Sequence, residues 1–102
     1  MTHDQQIAKT ILDQLGGQRF IVMTGAKKFI AIESGLQFKL PSRLTQRSID
    51  TVRITLTPMD EYNIEFGRVR KLDYSVIESV DGVYCDQLQE IFTEKTGLLT
   101  RL

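Results

Sequence analysis

The sequence predicts an α+β domain: an antiparallel meander sheet of five or six strands, with an N-terminal and a C-terminal helix packed on one face. Three observations carry this. Apolar residues recur at helical spacing at the two ends of the chain, they alternate with polar ones through the middle, and short Gly- or Pro-bearing links punctuate that middle. Short links join antiparallel neighbours, because parallel strands need long crossovers. All 102 residues, 41% of them hydrophobic, are read as one domain, 1–102, with one core.

The first helix is well punctuated. Thr2 is the expected N-cap, and Gln5 three residues later completes capping-box spacing. Ile7, Ala8, Ile11, Leu12 and Leu15 share one face, and Gly16-Gly17 ends the helix.

From Arg19 the period becomes two. Phe20/Val22 alternates with Ile21/Met23, and Phe29/Ala31 with Ile30/Ile32, which predicts two strands covered on both faces. Leu36, Phe38 and Leu40, then Val52, Ile54 and Leu56, then Tyr62, Ile64 and Phe66 alternate with polar residues, as half-buried strands do. A sixth strand near Tyr74–Val80 is the least marked. The expected links are Thr24-Gly25-Ala26-Lys27, Ser34-Gly35, the longer Pro41–Asp50, Pro58-Met59-Asp60-Glu61 and Arg68-Val69-Arg70-Lys71. Asp81-Gly82 is expected to break the sheet. A last helix then carries Tyr84, Leu88, Ile91 and Phe92 on one stripe, with Lys95 in its last turn and Gly97 closing it. The apolar tail is expected to pack back on the domain or to meet a partner, including a second copy through Leu98, Leu99 and Leu102.

Composition excludes several classes. No apolar run approaches the roughly 20 residues of a membrane span. The N-terminus lacks the basic and apolar regions of a secretory signal, and the single Cys85 cannot form an internal disulfide. A cytoplasmic protein is expected. Catalysis is not: His3 is the lone histidine in a fraying first turn, and Cys85 is expected at the core edge, inert. One His and one Cys make no zinc site, and the carboxylates are scattered, so neither metal nor cofactor is expected.

What remains is charge. The net charge is zero, yet residues 19–71 hold ten basic side chains against five acidic, and residues 72–102 hold six acidic against two basic. Met23-Thr24-Gly25-Ala26-Lys27-Lys28-Phe29 reads either as a phosphate cradle carrying Lys27 and Lys28 or as a hairpin turn with two solvated lysines. Arg53 is expected on the wet sheet face with Lys39, bordered by Arg43 and Arg47 of the long link and by Arg68, Arg70 and Lys71 of a turn. Such a face would bind nucleic acid through its phosphates, although the aromatic interleaving of single-strand binders is thin, with only Tyr74 and Phe38 left open. An ordinary charged face is the plainer alternative. Asp86, Glu90 and Glu94, four apart, form an acidic stripe on the last helix that suits a basic partner or solubility alone.

The run Leu15-Gly16-Gly17-Gln18-Arg19-Phe20-Ile21-Val22-Met23-Thr24-Gly25-Ala26-Lys27-Lys28-Phe29 resembles a group of small uncharacterised bacteriophage and mobile-element proteins. So do Glu65-Phe66-Gly67-Arg68-Val69 and Val83-Tyr84-Cys85-Asp86-Gln87-Leu88-Gln89-Glu90-Ile91-Phe92-Thr93-Glu94. The resemblance implies a genetic context and no active site; many phage proteins of this size act by binding, inhibitors of host defence among them. The expected function is therefore a non-enzymatic accessory protein that binds a host protein complex in the host cytoplasm, in the manner of an anti-CRISPR protein. The alternative is a small nucleic-acid-binding protein using the basic face.

Overall fold

A computed structural model describes residues 2–100. The chain runs α1 (His3–Leu15), α2 (Gly17–Thr24), β1 (Lys27–Ile32), β2 (Gly35–Lys39), β3 (Thr51–Leu56), β4 (Tyr62–Arg70), β5 (Asp73–Val83) and α3 (Leu88–Thr96). The five strands form one open antiparallel sheet in the order β1-β2-β3-β4-β5. This is the α+β meander expected from the sequence, with five strands.

Register decides which face is buried. Leu36, Phe38, Val52, Ile54, Tyr62, Ile64 and Phe66 all lie on one side, and the helices add Ile11, Leu15, Phe20, Leu88 and Phe92 to the same apolar cluster. Burying each such side chain contributes roughly 1.5–3 kcal/mol. At its centre Phe20 meets Phe38 and Phe92 edge-on, with ring centres 5.4 and 5.0 Å apart. Among the described residues no helix covers the opposite face, which stays open. No helix among the described residues is long and apolar enough to cross a membrane.

α1 begins with the expected capping box: the Gln5 N–H donates to Thr2 Oγ1, and the Thr2 N–H to Gln5 Oε1. Gly16 closes it, but the chain restarts at once as α2, so the strand expected at Phe20–Met23 is a helix. In four consecutive apolar residues, periods of 2 and 3.6 cannot be told apart. The helical choice buries Phe20 and Thr24, four apart, and turns Val22 to solvent at 71% exposure.

α2 and α3 end in the same way. Thr24 Oγ1 donates to the Phe20 carbonyl at 2.7 Å and accepts the Ala26 N–H at 3.2 Å; Thr96 Oγ1 donates to the Phe92 carbonyl at 2.8 Å and accepts the Leu98 N–H at 3.2 Å. In each case the next residue, Gly25 or Gly97, takes the left-handed conformation at φ 73° or 81°, which favours glycine. The segment 23–29 is thus a helix-to-strand link and not a hairpin turn.

Five further expectations are corrected. β1 is an edge strand rather than one covered twice, and leaves Ile30 52% exposed. β4 continues through Arg68–Arg70, so the turn is confined to Lys71-Leu72, and the least-marked strand becomes the longest, at 11 residues. It runs past Asp81-Gly82, because Gly82 at φ 71° accommodates an irregularity in the β4–β5 pairing instead of ending it. α3 consequently starts at Leu88 after a 3-10 turn (Cys85–Gln87), leaving Tyr84 outside the helix and exposed. Cys85 is exposed too, rather than at the core edge. Of the tail, Leu98 packs against the core, Thr100 is buried, and Leu99 is 59% exposed; Leu102 lies outside the described residues.

Candidate functional site

The basic residues expected to form one surface separate into five places. Lys27, Lys28, Lys39 and Arg43 line one open depression of about 700 Å³, together with Ser42 and Asp50. Lys27 and Lys39 are direct cross-strand partners. Successive strand residues normally point to opposite faces, but the pairing slips between Lys27 and Ile30, and Lys28 sits at φ 56°. This irregularity lets neighbouring lysines line the same hollow. Asp50 makes no direct ion pair with them. Its carboxylate accepts the Val69 N–H at 3.0 Å and the Thr51 hydroxyl at 2.8 Å, while Lys39 Nζ donates to that same Thr51 oxygen at 2.8 Å. Among the described residues, none of the four cations has a carboxylate oxygen within 4.0 Å.

Arg53 shares the open face with Lys39 by register, yet stands in a separate cluster. Its Nε donates to Gln37 Oε1 at 2.7 Å, and its guanidinium carbon lies 4.5 Å from the centre of the Tyr74 ring. The Tyr74 hydroxyl donates to Glu65 Oε1 at 3.0 Å. Its pKa is pushed up to about 12, first by burial and then by that bond, since both penalise the phenolate. The ring rests on Gly67, where a Cβ would come within 2.5 Å of it. Of the two aromatics left open by the sequence, Tyr74 is thus on the open face and Phe38 is in the core.

The other cations lie elsewhere. Arg47 bonds to Glu78, which also accepts Lys95 Nζ at 3.0 Å; the two cations, Arg47 first, hold the Glu78 carboxyl below its usual range. Arg68 and Arg70 fall on the same side of β4 as Phe66, the helix side, and Lys71 is in the turn. The seven-residue basic face expected from the sequence is therefore not one surface: β4 remains a strand through Arg70, and alternation sends Arg68 and Arg70 away from Arg53.

The acidic residues do converge. Asp86, Glu90 and Glu94 line one groove of about 780 Å³ with Gln14, Gln89 and Leu99. Cys85 also opens onto it, whereas His3 lines a separate hollow beside Ile7 and Tyr62. Among the described residues no three His, Cys, Asp or Glu side chains cluster as metal ligands. Comparison with protein-family models, with curated proteins and with solved structures found no match.

Proposed function

We propose that this chain is a non-enzymatic binding protein, an accessory protein of phage or mobile-element type that occupies a surface of a host protein complex in the host cytoplasm. Host defence complexes are the target class. The observation that carries the reading is the acidic groove: Asp86, Glu90 and Glu94 face one hollow, with the exposed Leu99 on its wall. Glu90 and Glu94, four apart on α3, repel, which costs an isolated helix about a few tenths of a kcal/mol, and Asp86 of the preceding turn adds a third like charge. A basic protein surface would relieve that repulsion, and the apolar Leu99 adds contact area that solubility alone does not require. The phage-like sequence runs supply the context.

The test is affinity capture from host lysate with the wild type and with Glu90→Gln/Glu94→Gln, at about 50 mM salt and at higher salt. A specific host protein held by the wild type and lost by the variant is the expected result. Expression of the wild type, but not the variant, should also rescue phage plating on a host carrying the targeted defence. Failure of the two forms to differ in both assays overturns the reading.

A further inference from the structure

We propose that the depression lined by Lys27, Lys28, Lys39 and Arg43 binds the phosphodiester backbone of a nucleic acid strand. The site goes beyond the reading above and shares no residue with the acidic groove.

The argument starts from a violated local rule. Like charges placed directly opposite on neighbouring strands destabilise a sheet. Here Lys27 faces Lys39, a third lysine joins them through a left-handed residue at Lys28, and the long link adds Arg43. Seven non-glycine described residues take a positive φ, so the conformation of Lys28 matters here for bringing its side chain to the hollow beside Lys27. The one carboxylate at hand, Asp50, is already bonded to the Val69 N–H and the Thr51 hydroxyl. Four positive charges thus line one hollow against a single carboxylate, Asp50, with which none of them forms an ion pair, and a bound anion would relieve the excess.

The form of the hollow selects the class of anion. Its cations come from three segments and are distributed around an open depression of about 700 Å³, an arrangement that matches successive phosphates better than one enclosed phosphate. Three of the four are lysines, compact point charges that follow a backbone without the fixed geometry of an arginine fork. The open-face aromatic, Tyr74, is covered by Arg53 and offers no stacking platform. Binding is therefore electrostatic and indifferent to base sequence.

The experiment is fluorescence anisotropy with a labelled oligonucleotide, single-stranded and duplex, from about 50 mM salt upward. The expected result is saturable binding whose log–log salt slope falls by about 0.7 (single strand) or about 0.9 (duplex) for each cation removed. Lys27→Gln/Lys28→Gln weakens binding about tenfold or more at low salt. Lys71→Gln, in the β4–β5 turn, leaves binding and slope near wild type. Glu90→Gln/Glu94→Gln also keeps oligonucleotide binding, so failure of this site and failure of the acidic groove are told apart. Absence of binding at about 50 mM salt, or an equal loss on Lys71→Gln, overturns the proposal. Thermal melting of the double variant separates ligand from scaffold: its midpoint stays or rises, because a repulsion has been removed, and a fall would make the lysines structural and overturn the proposal.

Discussion

The guanidinium of Arg53 lies 4.5 Å from the centre of the Tyr74 ring, and Glu65, the direct cross-strand partner of Arg53, bonds to the Tyr74 hydroxyl instead of forming an ion pair with Arg53. The open face of the sheet is thereby organised around a tyrosine. Gln37 holds one end of the arginine, the ring supports the other, and Gly67 leaves the space in which the ring lies. A stacked cation of this kind contributes about 0.5–1 kcal/mol at an exposed site.

Tyr74 gives the fold an alkaline limit. Its folded pKa is raised from 10 to about 12, so the folded state holds the phenolic proton more tightly than the unfolded chain does. The resulting stabilisation is fully present below pH 10 and is lost as pH rises from 10 to about 12. Phenolate absorbance should show Tyr74 ionising late, and Tyr74→Phe should flatten the fall in melting temperature across that window. An equally steep fall in the variant would exclude Tyr74 as its source.

Gly67→Ala should act through the same ring. The added methyl would sit 2.5 Å from Tyr74, so the ring must leave the sheet and give up its contacts with Arg53 and Glu65. The expected cost is about 1–3 kcal/mol in chemical denaturation, with the Tyr74 ionisation returning toward its ordinary value. A variant of wild-type stability and titration would contradict this packing.

Glu78 sets an acid limit. Arg47 and then Lys95 lower its pKa, so its contribution is present above its ordinary value of 4.5 and lost as pH falls through the lower folded value. Glu78→Gln should melt below wild type at neutral pH, and the two curves should converge in acid. A gap that persists unchanged into acid would assign the loss to packing and not to charge.

Phe20→Ala and Val22→Ala separate the helix from the strand expected there. On a strand the two residues share a face, and both substitutions would be costly. In α2, Phe20 is fully buried among Phe38 and Phe92 while Val22 is exposed. Phe20→Ala should cost about 3–5 kcal/mol. Val22→Ala should stay within about 0.5 kcal/mol.

Cys85 is exposed at the rim of the acidic groove, so a thiol reagent should label the native protein at one site without denaturant. Labelling that waits for unfolding would place Cys85 back in the core.

Much of this architecture was written locally. The capping box at Thr2 and Gln5, the alternations at residues 36–40, 52–56 and 62–66, and the stop at Gly97 each depend on neighbours a few positions away, and each is where the sequence predicts it. The acidic groove was local only in part: Glu90 and Glu94, four apart, share a face of α3, whereas Asp86 lies in the 3-10 turn before it and not on the helix stripe the sequence predicts. A local signal for α2 also exists: Phe20…Thr24-Gly25 repeats the spacing of Phe92…Thr96-Gly97, the end of the last helix. The basic set was different. Its charges belong to a strand edge, a long link, a strand interior and a turn, so their grouping depended on register and on where each strand stopped. By itself the sequence determined the α+β class, the strand alternation and the segregation of charge along the chain, all of which follow from short-range periodicity. Only the tertiary structure decided that Lys27, Lys28, Lys39 and Arg43 share one hollow while Arg68 and Arg70 turn away, because one slipped pairing or one extended strand reassigns every side chain beyond it to a face.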